Sequence, residues 1–102
     1  MAASRHDKTV QLHDRSAFHM RPCQQMVALS RAFPTCQIKL RYGDASFSTA
    51  NILDLMDWAG MQVQDTKADA GKVTVEAEGE DAFIAVEVLA QYLTLLGTTP
   101  KT

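Results

Sequence analysis

Two residues that could do chemistry, His19 and Arg21, stand just before Pro22 in the stretch Ala17-Phe18-His19-Met20-Arg21-Pro22-Cys23. An imidazole with its ordinary pKa near ~6.5 offers a neutral, nucleophilic nitrogen at neutral pH. A guanidinium is a permanent cation with a donor fork that matches a phosphate. Proline is favoured at the first helical position, and helical spacing follows it here, so Pro22 is expected to open a helix. A helix start leaves free backbone N–H groups and the positive end of the dipole, which suits an anion. Phosphoryl transfer asks a protein mainly for position and charge neutralisation. His19 is therefore read as the group that accepts and passes on a phosphoryl group, with Arg21 as the cation beside it. On composition alone the plain alternative is an exposed loop histidine and a solvated arginine.

Other constellations are weaker. His19 and Cys23 stand four residues apart, and His13 and Cys36 could be imagined beside them as metal ligands. Zinc sites show close ligand pairs such as C-x-x-C, and none is present. No metal and no cofactor is expected. Cys23 falls on the apolar side of the first helix and reads as core. His6 and His13 read as surface residues.

At 102 residues the chain is expected to be a single domain, 1–102, with its core between about residues 8 and 97. Its composition, 46% hydrophobic and 22% charged, is ordinary for a globular domain. Ten Lys and Arg against twelve Asp and Glu give a formal net charge of −2, which argues against a nucleic-acid binder. Met1 to Thr9 is polar, so no signal peptide is read there. No window approaches ~18 consecutive apolar residues, so no membrane insertion is expected. Two cysteines are too few for a disulfide framework, and free thiols in a reducing cytoplasm are expected.

The elements that must position His19 follow from periodicity. Lys8 to His13 alternates polar and apolar with Val10 and Leu12 on one face, a half-buried strand. Asp14 to Ser16 is a polar break. From Pro22 the positions Cys23, Met26, Val27 and Ser30 recur at i, i+3, i+4 and i+7, a helix ending near Ala32 before Pro34. Ile38, Leu40 and Tyr42 alternate with Lys39 and Arg41 in a second strand. Gly43-Asp44 turns the chain into a short strand, Ala45 to Ser48. Asn51 is a good N-cap for a second helix carrying Ile52, Leu55 and Met56, with Trp58 at its end and Gly60 as its stop. Met61 to Ala70 reads as a polar connection. Val73, Val75 and Ala77 alternate in a last strand. Glu78 to Asp81 turns into a helix from about Asp81 to Leu96, and Gly97 ends it. The order is β-α-β-β-α-β-α, an α+β fold with a small sheet covered by helices on one face.

The last helix has two apolar stripes. Ala85, Val86, Leu89, Leu93 and Leu96 suffice to cover the sheet. Ile84, Val88, Tyr92 and Leu95 form a second stripe, rotated by about a third of a turn at ~100° per residue. Either this stripe is a partner surface, such as a homodimer contact, or Met61 and Val63 fold over it.

The order of elements and His19-Met20-Arg21-Pro22 together resemble the HPr family, the histidine-containing phosphocarrier proteins of the sugar phosphotransferase system. Its signature is a histidine, any residue, arginine and proline at the start of the first helix. The resemblance runs from Val10 to about Leu96 and takes in Phe33, Ile38 and Leu40. It also takes in Asn51-Ile52-Leu53-Asp54-Leu55-Met56, and Ala77-Glu78-Gly79-Glu80-Asp81 with Ala85-Val86 and Leu89. It implies an open-faced sandwich of a four-stranded antiparallel sheet with three helices on one face. It implies a carrier rather than an enzyme: His19 takes a phosphoryl group on Nδ1 from phosphorylated enzyme I and hands it to a histidine of an enzyme IIA domain. It places a partner surface around the histidine and on the second helix, which points to Ile52, Leu55, Met56 and Trp58.

The departures bear on partners. Ala17-Phe18 stands where the family usually has glycine and an aliphatic residue. Asn51 stands in the slot of a regulatory serine; it keeps the cap and cannot be phosphorylated. A regulatory paralogue in a nitrogen- or carbon-control branch, or an interaction module whose histidine stays unmodified, are the alternative readings.

Overall fold

The computed structural model describes residues 4–13, 17–66 and 71–96. In chain order they form β1 (Arg5–Gln11), α1 (Met20–Arg31), β2 (Cys36–Tyr42), β3 (Ala45–Ser48), α2 (Ile52–Gln64), β4 (Lys72–Gly79) and α3 (Ala82–Leu96). This is the expected element order. The strands make one antiparallel sheet in the order β1-β4-β2-β3, with three helices on one face.

Two-residue alternation decides which side chains meet the helices. Ile38, Leu40 and Tyr42 of β2 and Val73, Val75 and Ala77 of β4 all point inward and are buried. Register sets Ile38 across from Ala77 and Leu40 across from Val75. From above, α1 contributes Cys23 and Met26, α2 contributes Leu55 and Trp58, and α3 contributes Leu89 and Leu93, all fully buried. Burial of each larger side chain stabilises the fold by roughly 1.5–3 kcal/mol. On the open face Glu76 accepts from Arg5 at 2.7 Å and from Arg41 at 3.1 Å, linking β1 and β2 across β4.

Buried polar groups tie the layers together. The hydroxyls of Ser30 and Thr49 lie 2.6 Å apart, with the Met26 carbonyl 2.9 Å from Ser30 and the Ile38 carbonyl 3.1 Å from Thr49. The Ser30–Thr49 contact links α1 to the segment before α2, and Thr49 donates on to the Ile38 carbonyl of β2. Ser30, which fell in the apolar series of the helix, belongs inside because it has these partners.

The structure moves several boundaries. β1 begins at Arg5 and ends before His13, because β4 runs on to Gly79 and gives Arg5 and His6 backbone partners in Glu78 and Ala77. α1 begins two residues before Pro22. α2 does not stop at Gly60 but continues to Gln64. Gly60 keeps a right-handed conformation, so it does not make the left-handed turn of a glycine cap. Met61 and Val63 therefore lie on α2, 46% and 45% exposed, and do not cover α3. The predicted break at 14–16, the second half of the 61–70 connection and the stop at Gly97 lie outside the described residues. At the turn into α3, Gly79 has φ 133°, and a Cβ there would meet the Thr35 carbonyl oxygen at 2.1 Å, so only glycine fits.

Candidate functional site

His19 is the N-cap residue of α1, in extended conformation with φ −102° and ψ −162°. Its carbonyl accepts from Cys23 N–H at 3.2 Å, closing the first helical turn. Its side chain is exposed and caps nothing. Met20 and Arg21 occupy the first two helical positions, and buried Pro22 is third rather than first. The displacement is physically consistent, since none of the first three helical N–H groups has an intrahelical partner and proline removes one of them without loss. The N–H groups of Met20 and Arg21 have no partner among the described residues, and they lie beside His19 at the positive end of the helix.

The backbone entering the site is anchored from below. Phe18 is 3% exposed and meets Trp58 of α2 edge-on, with ring centroids 5.2 Å apart and planes at 63°. Ala17 packs against the same core. A fully buried pair therefore fixes the residue before His19, while His19 itself faces solvent.

Arg21 is exposed and has no acidic partner among the described residues. It stands beside a groove of about 560 Å³ between α1 and α3, lined also by Gln25, Ala28, Leu29 and Tyr92. A second groove of about 420 Å³ lies between α1 and the start of α2, lined by Gln24, Val27, Arg31, Asn51 and Ile52.

Asn51 caps α2 as expected, its side-chain oxygen accepting from Leu53 N–H at 2.9 Å and Asp54 N–H at 3.3 Å. Neighbouring Thr49 is fully buried, which closes it to a modifying enzyme.

Of the four residues expected on the partner surface, Leu55 and Trp58 are fully buried and belong to the core. That corrects the expectation: they lie on the side of α2 that meets α1 and the sheet. Ile52 and Met56 are half-buried. Sequence reasoning missed Leu53, which is 72% exposed. Its signal was available, because at ~100° per residue position 53 lies opposite the Leu55–Ala59 face.

Cys23 is fully buried, and burial pushes its thiol up to about 11, so it is no nucleophile at neutral pH. The half-buried Cys36 thiol donates to the Glu80 carbonyl, and burial raises its pKa as well. Among the described residues no three His, Cys, Asp or Glu side chains gather as a metal site would need. No helix among them is long and apolar enough to cross a membrane.

The geometry is thus an exposed imidazole and a guanidinium with no acidic partner among the described residues, at a helix N-terminus on a buried seat. A family model described as the PTS HPr component phosphorylation site matches residues 6–94. No curated protein sequence matches the chain. Among solved structures, the phosphocarrier protein HPr from Bacillus anthracis is similar, with TM-score 0.71 and 23% identity over 89% of this chain and 99% of that one. A Mycoplasma histidine-containing phosphocarrier protein aligns with TM-score 0.68 and 18% identity, covering 85% and 90% of the two chains. The Bacillus subtilis catabolite repression protein Crh, solved as a domain-swapped dimer, aligns with TM-score 0.60 and 22% identity over 88% and 90%.

Proposed function

We propose, from the premise that this chain belongs to the PTS HPr family of phosphocarriers, that it carries a phosphoryl group on His19 between enzyme I and an enzyme IIA domain in the cytoplasm. The observation that carries the reading is the exposed His19 side chain at the N-terminus of α1, with exposed Arg21 two residues on and no acidic partner for it among the described residues. Nδ1 of His19 attacks the phosphorus of phosphorylated enzyme I. The new N–P bond forms as the bond to the donor's nitrogen breaks, and the donor histidine leaves. The Arg21 guanidinium and the first N–H groups of α1, at Met20 and Arg21, neutralise charge on the equatorial oxygens. The second transfer repeats the step with His19 as leaving group. The chain is donor and acceptor in turn, not a turnover catalyst.

Exposed Leu53, beside Ile52 and Met56 that pack only partly on the core, supports a docking role for the outer side of α2. The outer stripe of α3 supports self-association of the chain.

The test is labelling by phosphoenolpyruvate and an enzyme I, wild type against His19→Ala. Acid-labile phosphate on wild type and none on the variant is expected. No label on wild type, with the same enzyme I active on another carrier, would overturn the reading in favour of an interaction module. A labelled carrier that passes phosphate to no enzyme IIA would reassign the chain to a regulatory branch.

A further inference from the structure

One face of α2 holds the chain on both sides of His19. Phe18, the residue before it, meets Trp58 edge-on with ring centroids 5.2 Å apart. Cys23, four residues after it, donates its thiol to the Leu55 carbonyl at 3.8 Å. The N–H of the same Cys23 closes the first helical turn on the His19 carbonyl at 3.2 Å. Leu55 and Trp58 stand three residues apart and so share a face of α2. Phe18, Cys23, Leu55 and Trp58 are all buried, while the imidazole between the two anchors is exposed.

The two anchors differ in kind. At Leu55 the acceptor is a backbone carbonyl, which any residue there would supply. At Trp58 the anchor is the side chain itself. Its indole N–H is buried and has no hydrogen-bond partner among the described residues. A buried tryptophan usually brings that N–H to a partner, and leaving it unmet costs free energy. Hydrogen bonding therefore gives no reason for an indole at this position; what the ring does have is the Phe18 contact. Phe18 and His19 share one planar peptide unit, so the seat of the Phe18 ring sets where His19 leaves the core.

We infer that Trp58 is a positioning residue for phosphoryl transfer at His19: through Phe18 it aims the imidazole relative to Arg21 and the first N–H groups of α1, and it touches neither phosphate nor partner. The inference rests on the phosphocarrier reading. Transfer depends on geometry, and a displacement of ~1 Å can cost on the order of 10²-fold in rate. Trp58 is fully buried, so a docked partner does not reach it, and its loss falls on the transfer step and not on recognition.

The experiment is single-turnover transfer from phosphorylated enzyme I to excess chain, for wild type, Trp58→Leu, Trp58→Phe and Phe18→Leu. Maximal rate and half-saturating concentration are read separately. The maximal rate is expected to fall about 10-fold in Trp58→Leu and Phe18→Leu with the half-saturating concentration unchanged. Trp58→Phe keeps a ring beneath Phe18 and should retain most of the rate. A merely structural role has the opposite signature: a smaller folded fraction dilutes the acceptor, raising the half-saturating concentration and leaving the maximal rate alone. That signature in Phe18→Leu, or in a Trp58→Leu that is folded by circular dichroism, overturns the inference and leaves the phosphocarrier reading standing. Phe18→Leu keeps the test decisive where Trp58→Leu does not fold. A wild type that takes no phosphate, from an enzyme I active on another carrier, overturns both.

Discussion

The Phe18 ring meets the edge of the Trp58 ring at 5.2 Å, and this contact joins the residue before His19 to the middle of α2. Phe18→Ala removes a buried ring and is expected to lower stability by about 3 kcal/mol. Phe18→Leu keeps the volume closer and should cost about 1 kcal/mol, while slowing His19 labelling at equal folded concentration. A double-mutant cycle of Phe18→Leu with Trp58→Leu should give a coupling of roughly 0.5–1.5 kcal/mol in denaturant titrations. Zero coupling would show that the rings merely share a core.

Gly60 sits inside α2 with nothing within 4 Å of where a Cβ would be placed. Gly60→Ala should therefore raise stability by about 1 kcal/mol, read as a Tm increase of several degrees. A decrease would mean that the helix does not continue through residue 60.

Asn51 is expected to act through its cap alone. Asn51→Ala should cost about 1 kcal/mol, and Asn51→Ser should be close to neutral, in equilibrium unfolding. An equal loss in both would point to a role for the amide nitrogen, which has no partner among the described residues.

Glu76 gives the fold a pH dependence of known sign. The hydrogen bond from Arg5 first, with the charges of Arg41 and Lys39, holds its carboxyl below the ordinary carboxylate range. A depressed folded pKa contributes stability above the unfolded pKa near ~4.3 and loses it as pH falls through the folded value. Glu76→Gln should be less stable than wild type at pH 7, and the gap should close on acidification. A gap that widens toward low pH would refute the sign.

Local signals were legible in the sequence and long-range ones were not. The Gly43-Asp44 hairpin and the Asn51 cap depend on residues within four positions, and both formed as expected. Gly60 failed as a stop because it keeps a right-handed helical conformation and α2 runs on to Gln64, which no local signal announced. The first half of β1, Arg5 to Asp7, has no apolar alternation, and only pairing with β4 makes it a strand. Leu53 and Leu55 differ by two positions and by everything in exposure, because the position of the sheet decides which is covered. At the candidate site, the His19–Arg21–Pro22 spacing was visible at once. The seat beneath it was not, because Phe18 and Trp58 are forty positions apart.

The strand order β1-β4-β2-β3 puts β4, the last strand made, between the first two. Until Lys72 leaves the ribosome, β1 has no partner and β2 pairs only with β3. The sheet can close only when nearly the whole chain is synthesised, and folding must wait on contacts of high sequence separation. A nascent chain stalled before β4 holds His19 on an unsupported helix start, so the seat of the candidate site is completed in one late step.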